Sequence, residues 1–228
     1  MDMSYDAVVQ MMNDFLHSQT ETTPYPVTVL DRPFVVHPGV FSPRYYPDTE
    51  FFARVLPLRR GESFLEIGCG TGAICVLMRL LHEAQVTGVD INPQAVENAR
   101  ENVAEYRLTD EVTIVEGSLF EPLHAEDEFD CIFWNVPFGF IRETDLDWSQ
   151  RAIFDPGYDS IRRFVAEARR HLRRGGRVFI GFSTTLGRLN ELQAIVAANH
   201  ASLRAQAAQE TTDNDFELKT ELFELVYE

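Results

Sequence analysis

Three shortages bound this chain. It has 3 cysteines in 228 residues, only 20 basic side chains against 36 acidic ones, and no long apolar run. Cys69, Cys75 and Cys131 lack zinc-site or redox spacing and sit in apolar stretches. They predict buried free thiols in a reducing compartment, and no metal centre. No apolar run approaches the roughly 18 residues needed to span a bilayer, so no membrane contact is expected. The acidic, polar N-terminus is wrong for a secretory signal, and the expected location is cytoplasmic. A formal net charge of −16 repels a phosphate backbone, which argues against nucleic acid as a partner. The one basic cluster, Arg169, Arg170, Arg173, Arg174 and Arg177, falls on or after a helix C-terminus, where the helix dipole alone favours cations.

What is present is a globular composition and an alternating pattern. The hydrophobic fraction is 45%, and the length suits one α/β domain with a small appendage. Tyr5, Val8, Val9, Met12, Phe15 and Leu16 predict an amphipathic helix over 4–17, with Asp2 or Ser4 as its cap. That helix either docks on the core or closes over a substrate pocket. Val27–Leu30 and Phe34–Val36 flank Asp31-Arg32-Pro33 and predict a short hairpin. Residues 37–50 are rich in proline and aromatics, as in an ordered loop that lines a site. A helix follows from Asp48 or Thr49 to near Pro57. Beyond Gly61 strands are expected at 63–67, 86–90, 112–116, 129–134 and 177–182, with helices at 71–82, 93–106, 160–172 and 189–198. Residues 201–209 and 217–227 complete the set as two strands. Such alternation predicts a mostly parallel sheet. An N-terminal cap, 1–57, and a main domain, 58–228, are the economical division.

Two stretches carry chemistry. Phe64-Leu65-Glu66-Ile67 reads as a buried strand, followed by Gly68-Cys69-Gly70-Thr71-Gly72 and a helix. A strand, a glycine turn and a helix form the first half of a nucleotide-binding βαβ unit. The spacing is G-x-G-x-G and no Lys-Ser/Thr follows, which disfavours a dinucleotide fingerprint and a P-loop. Ligands bind outside the carboxyl ends of parallel strands. Those ends carry Gly68, Cys69 and Gly70, then Asp90 and Ile91, then Ser118 and Leu119, then Asn135. A carboxylate at Asp90 suits a ribose diol, since it accepts two hydroxyl hydrogen bonds. The second stretch is Asn135-Val136-Pro137-Phe138. The Asn135 oxygen and a nearby backbone carbonyl can each accept one N–H of an –NH2 group, turning its lone pair toward an electrophile.

Glu66-x-Gly68-x-Gly70-x-Gly72 is similar to the first motif of class I S-adenosylmethionine (SAM) dependent methyltransferases. Asn135-Val136-Pro137-Phe138 resembles the Asn-Pro-Pro-Tyr motif of amino-group methyltransferases, with Val136 for the first proline and Phe138 for tyrosine. More narrowly, the chain resembles the protein-glutamine N5-methyltransferases that modify translation release factors. His37-Pro38-Gly39-Val40-Phe41-Ser42-Pro43-Arg44 with Asp48-Thr49-Glu50, and Phe154-Asp155-Pro156-Gly157-Tyr158-Asp159-Ser160, carry that likeness beside the Asn135 motif. The resemblance implies a Rossmann-like fold, a seven-stranded sheet with an antiparallel last strand, and SAM as cofactor. It places Glu66, Gly68, Cys69, Gly70, Gly72, Asp90, Ile91, Ser118, Leu119 and Asn135 at the cofactor, and Asn135, Val136, Pro137 and Phe138 at the reaction. Ser118 departs from the usual aspartate. Tyr5, Phe41, Arg44, Tyr45 and Tyr46 are the expected substrate pocket. Tyr45, Tyr46, Trp134, Phe138, Phe140 and Trp148 offer aromatic faces to a sulfonium or amine.

Three reactions stay open. The first is N-methylation of an amine or amide in a small molecule or peptide side chain; the lean cap and acidic charge favour a small molecule. The second is cyclisation of SAM itself to an azetidine amino acid with release of methylthioadenosine. The third is SAM binding without catalysis. Incubation with SAM alone separates the first two: no methylthioadenosine is expected from a methyltransferase, and its accumulation would mark the cyclase.

Overall fold

The structure is a computed structural model that describes residues 5–213 and 216–228. In chain order it forms α1 (Tyr5–His17), β1 (Tyr25–Val29), β2 (Arg32–Val36) and α2 (Asp48–Val55). Next come β3 (Ser63–Ile67), α3 (Ala73–His82), β4 (Gln85–Asp90), α4 (Pro93–Glu105), β5 (Val112–Glu116) and β6 (Phe129–Asn135). A short excursion holds β7 (Gly139–Ile141), α5 (Trp148–Arg151) and β8 (Phe154–Pro156). The chain closes with α6 (Asp159–Glu167), a 3-10 turn, β9 (Leu172–Ser183), α7 (Leu189–Ala198), β10 (Ala201–Asp213) and β11 (Phe216–Tyr227).

β3 is buried along its whole length because it pairs in parallel with β4 on one side and β6 on the other, under helices on both faces. β5 and β9 extend the parallel sheet outward. β11 inserts antiparallel between β9 and β10, giving the order β10-β11-β9-β6-β3-β4-β5. This is the Rossmann-like, mostly parallel seven-stranded sheet with an antiparallel last strand.

Two apolar layers hold the helices. One gathers Ile74, Val76 and Leu77 of α3 with Val96 and Val103 of α4. The other gathers Ile161, Phe164 and Val165 of α6 with Leu192 and Val196 of α7. Val29, Phe34, Val36, Phe51 and Phe52 belong to the first layer, so the hairpin and α2 share the core of the sheet. Phe52 is fully buried and packs on Phe133 of β6, with ring centroids 5.2 Å apart. Gly181 of β9 leaves the room for that ring: a Cβ there would overlap it. A smaller third cluster, with Met12, Ile141, Leu146, Ile153 and Phe154, docks α1 onto the excursion after β6. Gln150 Nε2 donates to Asn13 Oδ1 across that contact, at 3.1 Å.

Several local expectations change. The hairpin turn is Leu30-Asp31, not Asp31-Arg32-Pro33, and both residues have positive φ. That geometry matches the strand twist of a two-residue hairpin. Pro33 therefore enters β2, where a two-stranded ribbon has a free edge to spare its missing N–H. The helix expected over 160–172 stops at Glu167, and β9 begins at Leu172, which already pairs with Phe129. Residues 173–176 are polar or glycine, so nothing local announces a strand there. The stretch 139–156 carries two three-residue strands and a four-residue helix, too short for any periodicity to show. Asp2 and Ser4 lie outside the described residues.

Phe52 is the most deeply buried ring of α2. Phe52→Ala is expected to destabilise the protein by about 3–5 kcal/mol, as for a fully buried phenylalanine whose cavity cannot collapse. Urea unfolding measures this; a loss under about 1 kcal/mol would mean that α2 is held by something else.

Candidate active site

The glycine turn after β3 sets the floor of the site. Gly68, Gly70 and Gly72 have φ of 64°, 53° and 73°, a region that strains any residue with a Cβ. Gly72 has a second reason: a Cβ would lie 2.9 Å from that of Ala99, so the glycine lets α3 and α4 approach. A Cβ at Gly70 would meet nothing within 4 Å, so the backbone there is laid open.

Asp90, at the end of β4, pins this loop. Its Oδ2 accepts from Gly70 N at 2.8 Å and its Oδ1 from Asn92 N at 2.9 Å. Asn92 Oδ1 in turn accepts from Gln94 N at 3.0 Å and caps α4. Burial raises the pKa of Asp90, and the backbone N–H bonds oppose it. Each carboxylate oxygen keeps a lone pair for an incoming hydroxyl.

One cavity collects Gly68 and Gly70, Asp90 and Ile91, Ser118 and Leu119, Trp134, Asn135 and Pro137. Its outer wall is Phe41 from the N-terminal loop, with Trp148, Arg151 and Phe154 from the excursion. Cys69 and Gly72 do not line it, and neither does Glu66, which lies buried at 4% exposure. Glu66 Oε2 accepts from the Cys75 thiol at 2.9 Å, and burial pushes the Glu66 pKa up to about 8. Val136 is buried, with its N–H on Gly181 O at 3.2 Å. Phe138 packs between two apolar clusters, and its carbonyl accepts from the Tyr158 hydroxyl. Tyr158 is fully buried with φ 58°, and its oxygen also accepts from Arg188 N at 2.9 Å. It thereby ties the turn after β6 to the start of α7.

The expected substrate pocket is only partly assembled. Phe41 lines the cavity, and Tyr46 stacks behind it at 4.1 Å. Arg44 and Tyr45 turn away: both bond Glu21, and the Arg44 guanidinium covers the Tyr25 ring. An acid on the polar connector thus competes successfully for both side chains. Tyr5 opens α1, and its side chain is outside the description.

Asp48, a helix start and part of the Asp48-Thr49-Glu50 segment in the sequence, stands against Asn135. Asn135 Nδ2 donates to Asp48 Oδ2 at 2.8 Å across 87 residues of sequence. Asp48 Oδ1 is buried without a hydrogen-bond partner, and burial raises the pKa of the acid to about 6. Its place in the segment Asp48-Thr49-Glu50 was the one available signal. Among the described residues no group of three or more His, Cys, Asp or Glu could hold a metal ion, and no helix is long and apolar enough to cross a membrane.

Comparison with known proteins gives a family and a shared fold. A family model described as "Methyltransferase small domain" matches residues 31–208. A release factor glutamine methyltransferase from Geobacter sulfurreducens is 38% identical over 158 residues, 63% of this chain and 53% of that protein. A putative protein N5-glutamine methyltransferase from Methanocaldococcus jannaschii is 32% identical over 156 residues, 67% of this chain and 76% of its own. The chain spans about half the length of four of the release factor enzymes that it matches. A crystal structure of a methyltransferase from Pyrococcus furiosus shares the fold, with a TM-score of 0.60 at 20% identity over 84% of this chain and 87% of that one.

The buried Glu66 makes stability depend on pH. Its native pKa, about 8, lies above the ordinary 4.5, so between these values the folded chain holds a proton that the unfolded chain has lost. Stability is then highest at the acid end of this window and falls as pH rises through it. At about 1.4 kcal/mol per pH unit the loss is on the order of 5 kcal/mol. In Glu66→Gln this part of the decline should vanish, so the unfolding free energy at pH 9 should approach that at pH 6. An unchanged slope in ligand-free protein would contradict it.

Proposed function

Because the chain belongs to the methyltransferase small domain family and is a class I SAM-dependent methyltransferase of the protein-glutamine N5-methyltransferase type, we propose that it methylates the side-chain amide nitrogen of a glutamine in a protein. A translation release factor is the first candidate acceptor.

The observation that carries this reading is the shared cavity. The glycine turn after β3 and the Asn135 turn after β6 stand at the ends of two directly paired parallel strands and open on the same space. SAM when bound supplies a methyl group activated by the positive sulfur. The donor set fits it. Asp90 would take the ribose hydroxyls, and the backbone of the glycine turn, laid open at Gly70, would take the amino-acid arm. Ile91, 46% exposed at the rim despite its size, and Leu119 would flank the base, with Ser118 beside them.

Asn135 handles the acceptor. An amide nitrogen is a weak nucleophile because its lone pair is delocalised. Asn135 Oδ1 and a carbonyl of the 135–138 turn each accept one of its N–H bonds, which holds the lone pair in line with the methyl carbon. Tyr158 keeps the turn in shape through the Phe138 carbonyl. Phe41, Pro137, Trp148 and Phe154 form an apolar mouth that admits a side chain and excludes water around the amide. No buried base is needed, since an alkylated amide nitrogen gives up its extra proton readily.

The test is transfer of labelled methyl from SAM to a purified bacterial release factor, with the modified residue located by peptide mass spectrometry. One methyl on one glutamine is expected. Asn135→Ala should keep SAM affinity within about threefold and lower turnover at least about a hundredfold, since positioning is worth several kcal/mol. Full turnover in that variant would remove Asn135 from the mechanism, and transfer to a residue other than glutamine would remove the amide.

A further inference from the structure

The buried acid beside Asn135 has no task in the scheme above. Asp48, in the first turn of α2, is 9% exposed. Its Oδ2 accepts from Asn135 Nδ2 at 2.8 Å, and its Oδ1 has no partner. The helix-end amides of Asp48 and Thr49 favour its charge without forming a bond to that oxygen. Burying a carboxylate with one oxygen unsatisfied is costly. Folding gives no return for it. A negative charge near the start of α2 would serve the helix dipole equally well from Glu50, which is in the same turn and more exposed.

The return lies in Asn135. An asparagine side chain has nearly the same shape with its oxygen and nitrogen exchanged, but only one arrangement presents an acceptor to an incoming N–H. An ionised carboxylate accepts and never donates, so it can bond only the Asn135 nitrogen. The flipped amide would set oxygen against oxygen. Asn135 is only half-buried and lines the cavity; its Nδ2 is engaged by Asp48, while its Oδ1 lies beside Gly181, a residue with no side chain to cover it. Resting on the reading that this oxygen accepts from the substrate amide, we propose that Asp48 is a positioning residue that locks the Asn135 side chain with its oxygen turned to the acceptor. The same bond polarises the Asn135 amide and strengthens its oxygen as an acceptor.

The lock needs the ionised acid. A protonated Asp48 can donate to Asn135 Oδ1, and both orientations then become available. Burial raises the Asp48 pKa to about 6, so the lock closes as pH rises through that value. Arg79 and His82 on α3, Asp130 on β6, Arg177 on β9 and Glu221 on β11 add nothing to this shift, whereas the Tyr46 phenol is raised in part by Asp48.

Two readouts test the proposal on the full chain. In 15N-labelled protein, the Asn135 side-chain amide resonances are identified by their loss in Asn135→Ala and followed from pH 5 to 8. They should move with a midpoint near pH 6 in the wild type and stay still in Asp48→Asn. In the release factor assay, wild-type kcat should rise through the same midpoint. Asp48→Asn should lower kcat at least tenfold at pH 8, flatten that limb and leave the Kd for SAM unchanged. Amide resonances that ignore pH in the wild type, or wild-type kcat in Asp48→Asn, would overturn the role given to Asp48. Undiminished transfer by Asn135→Ala would instead overturn the reading of Asn135, and the resonance titration would still decide whether Asp48 grips that side chain. Should Asp48→Asn fail to fold, the wild-type titration and pH profile decide alone.

Discussion

Parallel pairing of β3 between β4 and β6 is the constraint from which the rest follows. Parallel strands begin at one edge of a sheet and end at the other, so whatever each strand carries at its C-terminal end is brought to one side. The register pairs Ile67 with Val89 and with Trp134. The glycine turn, Asp90 and Asn135 follow those three positions within a residue or so, and therefore meet. A slip of register would separate them, and full burial of β3 on both faces resists any slip.

Around this edge the fold places four buried carboxylates in different surroundings. Asp155 is satisfied by Ser160 N and Ile161 N and starts α6. Asp90 is satisfied by the loop that it pins. Glu66 has a thiol for a partner, and Asp48 has one amide N–H and an orphaned oxygen. The first two strengthen local structure. The last two cost folding free energy, and both lie beneath or beside the candidate site, as perturbed acids often do.

The N-terminal residues are bound to the site by two different cores. The hairpin and α2 sink into the apolar layer of the sheet, which fixes Asp48 against β6. α1 packs instead on the excursion that carries Trp148 and Phe154. The outer wall of the cavity is thus built from segments more than a hundred residues apart, joined by contacts among Met12, Ile141 and Ile153.

Local chemistry was enough for part of this protein. The glycine turn needs positive φ, Asp90 and Asn135 follow apolar runs of strand length, and Asn92 sits where α4 must be capped. Each is a short-range property, so the placement of these residues at the ends of neighbouring strands was legible in the residues themselves. The excursion over 139–156 was not, because its elements are shorter than any period. The early start of β9 was not, because a partner strand supplies the hydrogen bonds that residues 173–176 do not advertise. That Arg44 and Tyr45 bond Glu21 instead of lining the cavity was not legible either, because Glu21 is distant from both in sequence. The pairing of Asp48 with Asn135 belongs to tertiary structure alone. A carboxylate at a helix start reads as a cap until packing of Phe52 on the sheet carries it behind the asparagine, and only there does burial raise its pKa and give it an amide to hold.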